Sequence, residues 1–135
     1  MLKTHLLAAT LVAMAAPAFA GDVAKGEADF KKCKSCHSIV AADGTAIQKG
    51  GKIGPNLFGV IGRIAGSQEG FAYGASILVA KDKGVVWDEA SLAEYLVDPS
   101  VWLQKVTGEP SAKSKMTFKI KDGDDDIAAY LASLK

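Results

Sequence analysis

The sequence predicts an all-α protein with long loops, on three observations. Ile127, Tyr130, Leu131 and Leu134 fall at i, i+3, i+4 and i+7, the spacing of one helical face. Glycine and proline break the chain repeatedly between residues 38 and 62, at Gly44, Gly50, Gly51, Gly54 and Pro55. No stretch shows convincing strand alternation, and there is no internal repeat.

Residues 1–20 read as a cleaved secretory signal peptide. Lys3 and His5 precede an apolar run from Leu6 to Ala16, and the small-residue pattern Ala18-Phe19-Ala20 stands before Gly21. The apolar run is shorter than the ~20 residues a spanning helix needs, which argues against a membrane anchor. No later stretch is long and apolar enough to span. An exported, soluble, periplasmic protein is expected. Residues 21–135 then form one domain of 115 residues with 15 basic and 15 acidic side chains. With net charge near zero, any electrostatic role depends on how charge is distributed, and nothing points to nucleic acid.

Along this domain, residues 22–34 read as a helix with Asp22 as N-cap and Val23, Phe30 and Cys33 on its apolar side. Gly26 within it costs helix stability and suggests a close helix crossing. Residues 38–62 are loop, and that much irregular chain in a small domain usually wraps something functional. A short helix is expected over residues 75–81, ended by Lys83-Gly84. Asp88 caps the next, DEASLAEYLVD, with Leu92, Tyr95 and Leu96 on one face and Pro99 closing it. Residues 100–106 form one more turn or short helix, and a polar loop over 107–115 leads to Met116. Asp124, Asp125 and Asp126 open the last helix, where negative charge suits the dipole.

The chemistry concentrates in Cys33-Lys34-Ser35-Cys36-His37. Two thiols three positions apart lie on one side of a helical turn and can reach both vinyl groups on one porphyrin edge. The imidazole that follows falls beneath the ring, and C-x-x-C-H is the signature of covalent haem attachment. Signal removal takes His5, Met1 and Met14, leaving His37 and Met116 as the single histidine and methionine. An exported disulfide would close almost no loop, a thioredoxin-like pair normally sits beside a βαβ pattern, and zinc would need a second Cys/His cluster. For Met116 the competing reading is a core filler. Its flanks, Ser114-Lys115 and Thr117-Phe118-Lys119, are polar and loop-like, which favours a thioether brought to iron opposite the imidazole.

These residues, with GDVAKGEADFKKCKSCH, GPNLFGVIGR, Phe71-Ala72-Tyr73, Trp87 with EYLVDP, KSKMTF and DIAAYL, resemble a class I c-type cytochrome. The similarity is to the bacterial cytochrome c2 group, relatives of mitochondrial cytochrome c, and covers essentially all of residues 21–135. It implies a fold of helices and long loops around one covalent haem c, with Cys33 and Cys36 as thioether donors and His37 and Met116 as axial iron ligands. It further implies that the Pro55 carbonyl accepts the His37 Nδ1 proton and that Arg63, Tyr73 and Trp87 bond a haem propionate. Tyr95 and Ser114 would lie near Met116, Phe118 would shield one ring face, and Gly26 and Phe30 would pack on Tyr130. Two stretches, over residues 38–53 and 100–115, are longer than in mitochondrial members. Ile77 also stands where those have a haem-facing asparagine.

The resemblance implies a monomeric electron carrier, not an enzyme. It would shuttle single electrons from a cytochrome bc1 complex to cytochrome c oxidase or a photosynthetic reaction centre. Lys32, Lys34, Lys52, Lys113, Lys115 and Lys119 would ring the haem edge and meet acidic partners. On composition alone they also read as an ordinary solvated surface. A rival class, a haem enzyme or gas sensor with an open sixth position, lacks a second histidine to serve on the distal side. A thiol-disulfide oxidoreductase would be colourless.

Overall fold

A computed structural model of the chain describes residues 21–135, so the expected signal peptide at 1–20 lies outside the described residues. The elements run α1 (Val23–Asp29), a 3-10 turn (Phe30–Lys32), β1 (Ile39–Val40), β2 (Ala46–Gln48), α2 (Ala75–Asp82), α3 (Glu89–Val97), α4 (Pro99–Thr107) and α5 (Asp124–Ala132).

The Asp22 side chain caps α1 by accepting from the Lys25 N–H at 3.0 Å. The α-helix is shorter than the expected 22–34, because it tightens into a 3-10 turn at Phe30. Val23, expected on the apolar side, is 45% exposed, whereas Phe30 and Cys33 are buried. α1 crosses α5 at Gly26. A Cβ there would run into the Asp126 carbonyl and sit 2.8 Å from the Tyr130 Cβ, so only glycine lets the two backbones approach this closely. Phe30 packs edge-on against Tyr130, ring centroids 5.9 Å apart.

β1 and β2 form a small antiparallel hairpin, which corrects the expectation of loop alone over 38–62. With two and three residues, these strands are too short to display alternation. α2 ends at Asp82, with Lys83 as its C-cap and Gly84 following at φ +69°. Asp88 and Ser91 form a reciprocal capping box at the start of α3. Pro99 does more than close α3. It is the first residue of α4, where its missing N–H costs nothing, and Asp98 caps α4 by accepting from Val101 N–H at 3.1 Å. Gly108 ends α4 in a left-handed conformation.

The core gathers Phe30, Ile39, Leu103, Ile127 and Leu131, all essentially buried, between α1, α3, α4 and α5. Trp87 and Trp102 stack at 4.5 Å, and Tyr95 meets both edge-on. Among the described residues no helix is long and apolar enough to cross a membrane.

Candidate functional site: a thiol, imidazole and thioether set

The cysteine motif is one tight turn. The Cys36 and His37 N–H groups both donate to the Cys33 carbonyl, at 3.2 and 2.9 Å, so the five residues close on themselves through their own backbone. Cys33 and Cys36 are not joined to each other. Burial pushes the Cys33 thiol up to about 11, while Cys36 is the more accessible of the two.

The glycine-rich segment after β2 folds back onto this turn. Gly51 N–H donates to the Lys34 carbonyl at 2.9 Å and Gly54 N–H to the Cys36 carbonyl at 2.8 Å. A side chain at Gly50 or Gly51 would strike the motif's own backbone, and one at Gly54 would strike the His37 ring. The fold-back delivers the Pro55 carbonyl to His37 Nδ1 at 2.8 Å. Nδ1 is thereby the protonated nitrogen and Nε2 keeps its lone pair. Burial also lowers the His37 pKa, with the Pro55 carbonyl opposing, so the imidazole is held neutral as a metal ligand must be.

Asn56 fixes the Pro55 position, a role the sequence reading missed although Asn56 lies within GPNLFGVIGR. Its Oδ1 accepts from the Val40 and Phe58 N–H groups, and its Nδ2 donates to the Val40 carbonyl. Arg63 donates to the Asn56 and Phe58 carbonyls and, through Nη1, to the Gln68 side-chain oxygen. The Gln68 N–H donates to the Tyr73 hydroxyl at 3.1 Å. Trp87 and Arg63 are paired by the Trp87 N–H donating to the Arg63 carbonyl at 2.9 Å. Arg63, Tyr73 and Trp87, far apart in sequence, are thus brought together, and burial lowers the Arg63 pKa while raising that of Tyr73. Nothing in the sequence singled out Gln68 as the link.

Met116 is partly buried against the core. Tyr95 OH and Ser114 Oγ are hydrogen-bonded at 2.9 Å, and Ser114 Oγ accepts from the Met116 N–H at 3.1 Å. Both expected neighbours of Met116 are therefore on its loop or one bond from it. Phe118 is 45% exposed in the polypeptide. Among the lysines, Lys32 pairs with Asp29 and Asp122 and Lys119 pairs with Asp98, whereas Lys34, Lys52, Lys113 and Lys115 form no ion pair among the described residues. Lys52 stands two residues before Gly54, whose N–H is bonded to Cys36, and Lys34 lies within the motif.

This donor set fits a covalently held haem. Two unpaired thiols flank one turn, a neutral imidazole has one nitrogen fixed and the other available, and a single thioether sits on a hydrogen-bonded loop. Among the described residues no cluster of three His, Cys, Asp or Glu side chains offers a competing metal site. Helices, long loops and donors together are those of a c-type haem protein.

Comparison with known proteins narrows this. No protein-family model matches the chain. Cytochrome c2 of Rhodobacter capsulatus is 51% identical over 135 residues, covering 98% of each chain. Cytochrome c-550 of Paracoccus versutus is 53% identical over 128 residues, 93% of this chain and 83% of its own. The crystal structure of the Rhodobacter capsulatus cytochrome c2 superposes with a TM-score of 0.83 at 50% identity, covering 84% of this chain and 97% of that one. The ferric cytochrome c-550 of Paracoccus versutus superposes at 0.80 with 55% identity, covering 84% and 98%. The chain belongs to the class I cytochromes c, in the bacterial cytochrome c2 and c-550 group. Proteins of this group are electron carriers, not enzymes, and carry one covalently attached haem c with its iron.

Proposed function

We propose that the chain is a periplasmic single-electron shuttle in which Cys33 and Cys36 tether haem c and His37 and Met116 hold its iron. Residues 1–20 are the export signal and residues 21–135 the functional domain, which works as a soluble monomer. The bound haem supplies one-electron redox chemistry. His37 and Met116 would hold its iron in both oxidation states, and the surrounding apolar side chains would keep water from it.

The observation that carries this reading is the His37 geometry. With Nδ1 donating to the Pro55 carbonyl at 2.8 Å, Nε2 is the nitrogen left to ligate, and the ring plane is set by a backbone group that Gly54 allows to approach. Arg63, Tyr73 and Trp87 form the polar wall for a propionate whose burial would otherwise be costly. Tyr95 and Ser114 steady the Met116 loop, and Phe118 would cover one ring face.

Cytochrome bc1 complex is the proposed donor, and cytochrome c oxidase or a photosynthetic reaction centre the acceptor. Lys32, Lys34, Lys52, Lys113, Lys115 and Lys119 form the partner surface. Optical spectra of the haem-loaded protein, oxidised and reduced, with and without CO, test the ligation against Met116→Ala. A low-spin protein indifferent to CO, with a variant that binds it, is the expected result. CO binding by the wild type overturns the closed six-coordinate reading.

A further inference from the structure

The loop that carries Met116 has no secondary structure, yet three of the four backbone N–H groups over residues 113–116 are held by serine hydroxyls. Lys113 N–H donates to Ser76 Oγ at 3.0 Å, Ser114 N–H to Ser100 Oγ at 3.0 Å, and Met116 N–H to Ser114 Oγ at 3.1 Å. The first two acceptors come from elsewhere in the fold. Ser76 lies in the first turn of α2 and Ser100 in the first turn of α4. Gly74, just before α2, also lies under the Lys115 methylenes, where an added Cβ would meet Lys115 Cγ at 3.1 Å.

We propose that Ser76 and Ser100 are positioning residues for the sixth iron ligand: their hydroxyls pin the loop to two separate helices and so set how often Met116 leaves the iron. The inference rests on the reading of Met116 as that ligand. Regular secondary structure would satisfy these N–H groups through neighbouring backbone. Here side chains do so, and the geometry of the ligand loop therefore depends on where α2 and α4 sit. Ser100 matters more than Ser76, because its bond is partly buried while that of Ser76 is open to water, which competes for the same groups.

The test uses the ferric haem-loaded protein and imidazole as an external ligand that binds only after Met116 departs. The rate of imidazole binding and the sulfur-to-iron charge-transfer band are measured for wild type, Ser76→Ala, Ser100→Ala, Ser100→Thr and Met116→Ala. Loss of one ordinary hydrogen bond from the closed loop corresponds to about fivefold faster binding for Ser100→Ala. Ser76→Ala is expected to give a smaller increase, and Ser100→Thr, which keeps the hydroxyl, to stay near wild type. Should Ser100→Ala fold poorly, Ser100→Val against Ser100→Thr makes the same comparison at equal volume. A hydroxyl with a purely structural role would lower the unfolding temperature in Ser100→Ala without speeding imidazole binding, and that result overturns the proposal. So does Ser100→Thr behaving like Ser100→Ala. If Met116→Ala binds imidazole no faster than wild type and leaves the band unchanged, the ligand reading itself is wrong and the proposal falls with it. That result is distinct from normal Met116 behaviour with inert serines.

Discussion

His37 Nδ1 and the carbonyl of Pro55 lie 2.8 Å apart, and a side chain at Gly54 would overlap the imidazole ring between them. Eighteen residues separate the two partners, so the hydrogen bond depends on the fold-back of the loop and not on local sequence. Asn56 and Arg63, on the far side of Pro55, hold that fold-back in place.

Gly54→Ala should therefore reduce the yield of haem-loaded protein and destabilise what is formed. The added methyl would lie 2.6 Å from Nδ1 and 2.7 Å from Nε2 of His37, and overpacking of this kind costs about 1–3 kcal/mol. Haem content per polypeptide and the urea midpoint check this. Pro55→Ala, which keeps the carbonyl, should be much milder.

At the crossing of α1 and α5, Gly26→Ala should lower stability without altering the visible spectrum. The new Cβ would overlap the Asp126 backbone and crowd the Tyr130 Cβ, so α1 and α5 must shift apart to admit it. A loss of ~1–3 kcal/mol is expected, read as a fall of several degrees in unfolding temperature, roughly 4 °C or more. An unchanged midpoint would show that the crossing is looser than described.

Acid should weaken the same crossing. The Asp22 N–H, and after it the Lys25 ammonium, hold the Asp126 carboxyl below its ordinary value; the bonds measure 2.7 and 3.0 Å. Because the folded-state pKa is depressed, this contribution is present above the unfolded value of about 4 and is lost as pH falls through the lower folded-state value. Asp126→Asn should lower stability at neutral pH and flatten the stability curve below about pH 4. Urea midpoints across that window measure both effects.

Partner association should slow as salt rises, and the lysines should not contribute equally. Lys34 and Lys52 form no ion pair among the described residues, whereas Lys119 is paired with Asp98 and Lys32 with Asp29 and Asp122. Lys34→Gln or Lys52→Gln should cut the low-salt rate of electron transfer with an acidic redox partner about two- to threefold and flatten its salt dependence. Lys119→Gln should do less, since Asp98 already offsets its field. Equal effects from all three would mean that net charge alone governs the rate. Stopped-flow rates over a range of ionic strength decide the matter.

Much of this protein is local information. The motif from Cys33 to His37 defines its own turn through bonds within five residues, and the helices announce themselves through caps at Asp22 and Asp88 and the 3.6-residue spacing in α5. Gly26, which permits a close crossing, is visible as a misfit in its helix, whereas Gly54 reads in sequence as one more loop breaker. Other features were set only by tertiary structure. The hairpin of β1 and β2 is too short to leave a periodic trace, and Val23 faces solvent because α1 contacts α5 through Gly26 and Phe30. Gln68 links Arg63 to Tyr73, and Ser76 and Ser100 reach the Met116 loop, through hydroxyl and amide groups that look in sequence like any polar loop or helix-start residue. Their meaning lies in which backbone groups the fold leaves without partners, and that is settled only when distant segments meet.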